Sequence, residues 1–143
     1  MKDVKQDLFD RLLLLRSRYE VAFSCGSAVD DRWCELYAEI VEKGLHDSTE
    51  SSLRAVRAIV DPAEMSAAAF WQTPLGALAF SAGGYPNAEM PQSLAALVLG
   101  CSRQYVSEMV KSGKLTAPHT GSRMVLAEGV RELLRRKLDK FVN

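Results

Sequence analysis

The chain has 143 residues, 48% of them hydrophobic and 25% charged, with 18 basic and 18 acidic side chains that leave no net charge. That balance suits one ordinary globular domain or two small ones, and it excludes a disordered or low-complexity chain. The apolar runs fall short of the roughly 18 residues of a membrane span, so no membrane partner is expected.

The neutrality conceals a division. Residues 1–89 carry nine basic and fourteen acidic side chains, a net of −5, while residues 90–143 carry nine basic and four acidic, a net of +5. A basic final third predicts a polyanion partner for one part of the chain and a different task for the other. Met1-Lys2-Asp3 leads straight into a charged amphipathic stretch, which predicts no secretory signal. Cys25, Cys34 and Cys101 are odd in number and form no CxxC pair, which suits a reducing compartment. The expected location is cytoplasmic, on the nucleoid if the polyanion is DNA.

Taken in chain order, the elements are helices almost to the end. Val4, Leu8, Leu12, Leu15, Tyr19 and Ala22 recur at steps of three and four, predicting a helix over about 3–23. Ser24-Cys25-Gly26-Ser27 interrupts it. Trp33, Leu36, Tyr37, Ile40 and Val41 mark a second helix, which Gly44 is expected to close in a left-handed conformation. Leu53, Val56, Ile59 and Val60 predict a short third. Asp61-Pro62-Ala63-Glu64 is a start signal in which Asp61 caps, Pro62 fits the first turn and Glu64 reaches back. Thr73-Pro74 repeats the device, so the apolar stretch 63–82 reads as two helices broken near Gln72. Gly83-Gly84-Tyr85-Pro86-Asn87 is the best linker candidate.

QSLAALVLGCSRQYVSEMVKSG, residues 92–113, carries the chemistry. Two helices that cross at a tight turn need a small residue at the crossing, which Ala96 supplies. They need a residue tolerant of positive φ in the turn, and Gly100 follows four positions later. Val106 can face back into the crossing, with Leu94, Leu97, Leu99, Cys101, Met109 and Val110 as further core candidates. Ser102 can cap the second helix and leave its first N–H groups near a phosphate, and Gly113 ends it. Leu115–Pro118 and Met124–Leu126 read as two strands of a hairpin around Thr120-Gly121-Ser122. A last helix follows from about Glu128 to Phe141, with Val130, Leu133, Leu134, Leu138 and Phe141 inward.

Residues 91–134 resemble the excisionase-type, MerR-like winged helix-turn-helix DNA-binding domains. The resemblance rests on A-x-x-x-G-C-S-R-Q-Y-V-S (Ala96–Ser107), K-S-G-K-L (Lys111–Leu115) and G-S-R (Gly121–Arg123). It implies that the second helix enters the major groove with Arg103, Gln104, Ser107 and Lys111, and that Arg123 grips the backbone or minor groove from a 119–124 wing. Ala127 and Met124 stand where the family often has Pro and an aromatic residue, and His119 where a second basic wing residue is common.

The residue types fit that implication. Arg and Lys donate to guanine O6 and N7, and Gln pairs bidentately with adenine. Ser102 and Tyr105 suit phosphate oxygens, Glu108 can accept from cytosine N4, and Lys114 adds charge at the helix end. One module with so few cations binds weakly at physiological salt, so two on one duplex are expected. The predicted fold is mainly α: a helical domain over residues 1–86, then a winged helix-turn-helix over residues 90–143 with a short β-hairpin wing.

The predicted function is a sequence-specific double-stranded-DNA-binding regulator, a homodimeric repressor acting on its own or a small operon. Val4, Leu8, Leu12, Leu15 and Tyr19 are the expected dimer face, the alternative being that they only cover Trp33, Tyr37, Phe70 and Trp71. Two other readings stay open: an antitoxin-like module whose acidic residues 1–89 bind a protein partner, and a recombination directionality factor. No cofactor is implied. Cys25, Cys34 and His46 fit no familiar zinc spacing, so no metal is expected. With two histidines, no phosphate loop and no nucleophile elbow, enzymatic activity is not expected. Phe70, Trp71 and Phe80 suit either core or a sensor pocket. Arg131, Arg135, Arg136, Lys137 and Lys140 read as a solvated face of the last helix.

Overall fold

The structure is a computed structural model that describes residues 3–23 and 30–142. The side chains at 19, 21–23 and 141–142 are not described. The expected break at Ser24–Ser27, the roles of Cys25, Tyr19 and Ala22, and the inward Phe141 therefore lie outside the described residues. The chain divides into two compact units, Met1–Ala82 and Gly83–Asn143, the boundary falling at the head of the glycine-rich stretch. The fold is mainly helical with a small two-stranded antiparallel sheet. Among the described residues, no helix is long and apolar enough to cross a membrane.

The first unit holds α1 (Val4–Phe23), α2 (Asp31–His46), α3 (Glu50–Ile59), α4 (Pro62–Met65), α5 (Ala68–Trp71) and α6 (Pro74–Ser81). Side-chain caps set several of the starts. Asp30 accepts from Trp33 N at 2.8 Å, Asp61 from Ala63 N at 2.8 Å, and Thr73 Oγ1 from Gly76 N at 3.0 Å. Pro62 and Pro74 occupy the first turns of α4 and α6, where a missing N–H costs nothing.

Three local expectations are corrected. Gly44 does not close α2, which runs on to His46, and the left-handed residue is Ser48 at φ 57°. Glycine is needed at 44 because a Cβ would lie 1.7 Å from Ser52 Oγ, so it is the close approach of α3 that excludes a side chain. Glu64 does not reach back to its cap but pairs with Arg11 on α1 at 2.8 Å. The stretch 63–82 breaks twice, at Ser66-Ala67 as well as near Gln72, giving three short helices.

Leu8 and Leu12 of α1 pack into the core of this unit with Cys34, Val41, Leu45, Leu53 and Val56. Phe70, Trp71 and Phe80 meet edge to face, with ring centroids 4.8 Å and 6.0 Å apart, and Trp71 Nε1 donates to Met65 O. All three are buried, so they fill the core and leave no sensor pocket among themselves. The expected dimer face is corrected in part. Leu8 and Leu12 are 0% and 5% exposed and cannot meet a second chain, Val4 is half-buried, and Leu15 is exposed. Nor does α1 cover Trp33, which is 46% exposed.

The second unit holds β1 (Glu89–Pro91), α7 (Gln92–Leu99), α8 (Arg103–Lys111), β2 (Met124–Leu126) and α9 (Ala127–Val142). Gly100 ends α7 at φ 70°, and Cys101 N returns to Ala96 O at 3.0 Å, so the chain reverses within the short Gly100–Ser102 connection before α8. Ala96, Val106, Met109, Val130 and Leu134 are buried and belong to the core of this unit. Leu97 departs from its expected core place and is 50% exposed, while Leu94, Cys101, Val110, Leu133 and Leu138 are half-buried.

The sheet also corrects the sequence reading. β2 pairs with β1, Met90 opposite Val125, and both side chains are fully buried. Residues 115–118 form no strand. Pro118 has no N–H to donate, and the segment meets β2 through a backbone bond from Leu126 N to Thr116 O at 2.9 Å.

Candidate nucleic-acid interface

α8 owes its position to its two ends. Ser102 Oγ accepts from Tyr105 N at 3.1 Å, and Gly113 at φ 84° lets the chain leave the helix, with Lys114 N donating back to Met109 O. Burial of Val106 and Met109 fixes the rotation about the axis. Arg103, Gln104, Glu108 and Lys111 are then exposed, Ser107 is half-buried, and Tyr105 stands exposed on the other edge.

Beside α8 lies a cleft of about 710 Å³. Its helix wall is Ser107, Val110 and Lys111, and its far wall is the loop from Gly113 to Ser122, including Thr116, His119 and Thr120. Two of the predicted contact residues, Ser107 and Lys111, are thus brought opposite the loop. Arg103 and Gln104 do not line the cleft and lie one to two turns nearer the start of α8. Arg123 and Lys114 are exposed and likewise do not line it. Gly121 turns the loop tip at φ 78°.

The electrostatics of the surface are one-sided. Arg103, Lys111, Lys114 and Arg123 have no ion partner among the described residues, whereas Arg136 on α9 pairs with Glu132 at 3.2 Å. Glu108 alone places a negative charge on the same helix face.

Two residues that matter here were not read from the sequence. Gln92, buried at the start of α7, donates through Nε2 to Ser122 O at 3.3 Å, while its backbone N–H holds Arg123 O at 3.0 Å. It ties the loop tip to α7. A polar residue opening an otherwise apolar run was the available signal. Lys137, read as a solvated cation, donates from Nζ to Leu99 O at 2.8 Å, satisfying a carbonyl at the end of α7 next to the Gly100 turn. Cys101 in that turn has its thiol pushed above its ordinary range by burial, with Lys137 opposing the shift.

The other candidates do not assemble. Cys34 is buried in the first unit and His46 sits twelve residues along the same helix, about 18 Å away by helical rise. His46 Nε2 instead faces Glu42 at 3.9 Å. Comparison with known proteins finds no matching family model, no similar curated protein and no similar solved structure.

Proposed function

We propose that the Gly83–Asn143 unit is a winged helix-turn-helix that reads duplex DNA, and that the chain is a sequence-specific transcriptional regulator acting as a homodimeric repressor. The observation that carries this reading is the α8 face: a capped helix after a tight glycine turn, presenting Gln104 to solvent beside Arg103 and Lys111, two cations with no ion partner among the described residues. Uncompensated cations on a surface repel one another and gain most from a polyanion.

In this reading α8 lies in the major groove, where Arg103 and Gln104 reach base edges, and Ser102 and Tyr105 take phosphates. The Gly113–Ser122 loop is the wing, held by Gln92 rather than by a hairpin ladder, and Arg123 follows its tip. In this reading a sugar–phosphate strand follows the cleft between loop and helix along Ser107 and Lys111.

The test is a fluorescence-polarisation titration of a labelled duplex from upstream of the chain's own gene, at roughly 0.15 M salt with excess unrelated DNA. Saturable binding is expected. Arg103→Ala should cost about 1–3 kcal/mol of specific affinity, while Lys140→Ala should change only the salt dependence. Lys137 is unsuitable as the control because it holds the Leu99 carbonyl. Equal small effects from both variants would remove α8 as the reading element.

A further inference from the structure

Three large apolar side chains of α2 face solvent: Trp33 at 46% exposure, Leu36 at 47% and Ile40 at 67%. Their spacing places them on one stripe, opposite the buried Cys34, Ala38, Val41 and Leu45. Trp33 lies flat on Tyr37, centroids 4.9 Å apart and planes 8° from parallel, so the stripe is a continuous slab rather than scattered exposure. Clustered apolar exposure of this kind marks an interaction face.

We propose that the outer face of α2 is where a second copy of the chain docks, with the two α2 helices antiparallel and crossing at Leu36. Charge selects this occupant. Arg32 and Glu39 flank the same side of the stripe, two turns apart, with Leu36 between them. A two-fold axis at Leu36 sets each Arg32 against the other copy's Glu39, so both pairs form at once, and it turns each Trp33 toward the other copy's Ile40. Arg32 has no ion partner among the described residues, and Glu39 engages Lys5 through Oε1, leaving Oε2 to accept.

The extent of the face sets the strength. Sixteen helical residues span about 24 Å. One such face is smaller than the roughly 800 Å² per partner of a stable interface, so the pairing is reversible and concentration-dependent. This rests on the homodimer of the proposed function, for which it supplies the interface, and is tested without DNA.

The experiment is sedimentation equilibrium of the full chain over a wide concentration range, alongside tryptophan emission and iodide quenching. The chain has two tryptophans, and Trp71 is buried, so a concentration-dependent blue shift and protection report Trp33. A reversible monomer–dimer equilibrium with that shift is expected. Ile40→Arg should weaken association about tenfold or more and abolish the shift at an unchanged melting midpoint. Arg32→Glu and Glu39→Arg should each weaken it, and the double exchange should restore it, Lys5 keeping Glu35 as a partner. A chain that stays monomeric throughout, an Ile40→Arg variant that still associates, or a double exchange that restores nothing would overturn the proposal. A chain that stays monomeric would also remove the homodimer from the proposed function, whereas binding of duplex DNA by the α8 face is decided separately by the DNA titration.

Discussion

In the first unit Arg11 donates to Asp7 at 3.0 Å, reaches Glu64 at 2.8 Å and lies 5.6 Å over the Phe70 ring, while in the second unit Arg103 is exposed and has no ion partner among the described residues. Burial opposes the charge of Arg11, and Glu64 and Asp7 outweigh it. Lys5 and Arg16 are similarly tied across α1 and α2 to Glu39 and Asp31, each at 2.6 Å. Lys5, Arg11 and Arg16 therefore fasten helices to one another, whereas the cations on α8 and its loop have no ion partner among the described residues. The same residue type belongs to stability in one place and, in the proposed reading, to recognition in the other, and the net charges of the two parts do not by themselves reveal this.

The largest test of the contrast uses glycines. A Cβ at Gly76 would lie 1.8 Å from the Phe70 carbonyl oxygen, a backbone atom that cannot swing aside. Gly76→Ala should cost the first unit about 3 kcal/mol, seen as a lower thermal midpoint by tryptophan fluorescence, since both tryptophans lie in that unit. Gly100 differs: its φ of 70° penalises a side chain, and the nearest obstacle is the flexible end of Lys137 at 3.2 Å. Gly100→Ala should cost about 1–2 kcal/mol and appear chiefly as lost DNA affinity, because the turn aims α8. A Gly100→Ala variant that binds normally would show that the turn does not position the reading helix.

Next in size is the arginine exchange. Arg11→Ala should lower stability by about 2 kcal/mol, leaving Asp7 half-buried without its partner and uncovering Phe70. Arg103→Ala should leave the melting midpoint unchanged to within about 0.5 kcal/mol and lower DNA affinity instead. Destabilisation by Arg103→Ala would erase the distinction between the two units.

The features legible in the sequence are those whose cause is local. Asp61-Pro62, Thr73-Pro74, Gly100 and Ser102 act through backbone groups a few residues away, and each does what its type and spacing predict. The periodicity of α1, α2 and α9 likewise located them. What stayed hidden depends on distant partners. Gly44 is read as a helix end until Ser52 is found against it. β1 is three residues long, Glu-Met-Pro, with no alternation to mark it, and it exists because β2 offers an edge. Leu8 and Leu12 have the spacing of a dimer seam, yet the fold buries them, and the outward stripe belongs to α2. At the site, the exposed polar edge of α8 was readable, whereas the roles of Gln92 and Lys137 follow from bonds spanning 30 and 38 residues.

A smaller effect separates capping from recognition on α8. Ser102→Ala removes the bond to Tyr105 N and should cost about 1 kcal/mol of stability, with a matching loss of affinity. Ser102→Asp keeps a good cap but sets a negative charge where the proposed phosphate lies. It should melt like the native chain and bind DNA more weakly than Ser102→Ala. Equal binding by the two variants would place the phosphate elsewhere.

The smallest effect probes the acidic unit through pH. Burial raises the Glu42 carboxyl above its ordinary range, His46 opposes the shift, and Asp3, Lys5 and Glu39 contribute smaller influences. A carboxyl whose folded value is raised holds its proton more tightly when folded. Its contribution therefore favours folding at acid pH and is lost as pH rises through the raised value. At neutral pH the ionised Glu42 is a net cost, so Glu42→Gln should stabilise the chain there by on the order of a few tenths of a kcal/mol. As pH falls toward the raised value Glu42 takes up a proton, so the advantage of Gln should shrink toward zero in a series of thermal melts. A Gln variant that is less stable at neutral pH, with a penalty that fades toward acid pH, would mean that Glu42 behaves as an ordinary paired carboxylate, joining Asp31 as an anion that fastens helices.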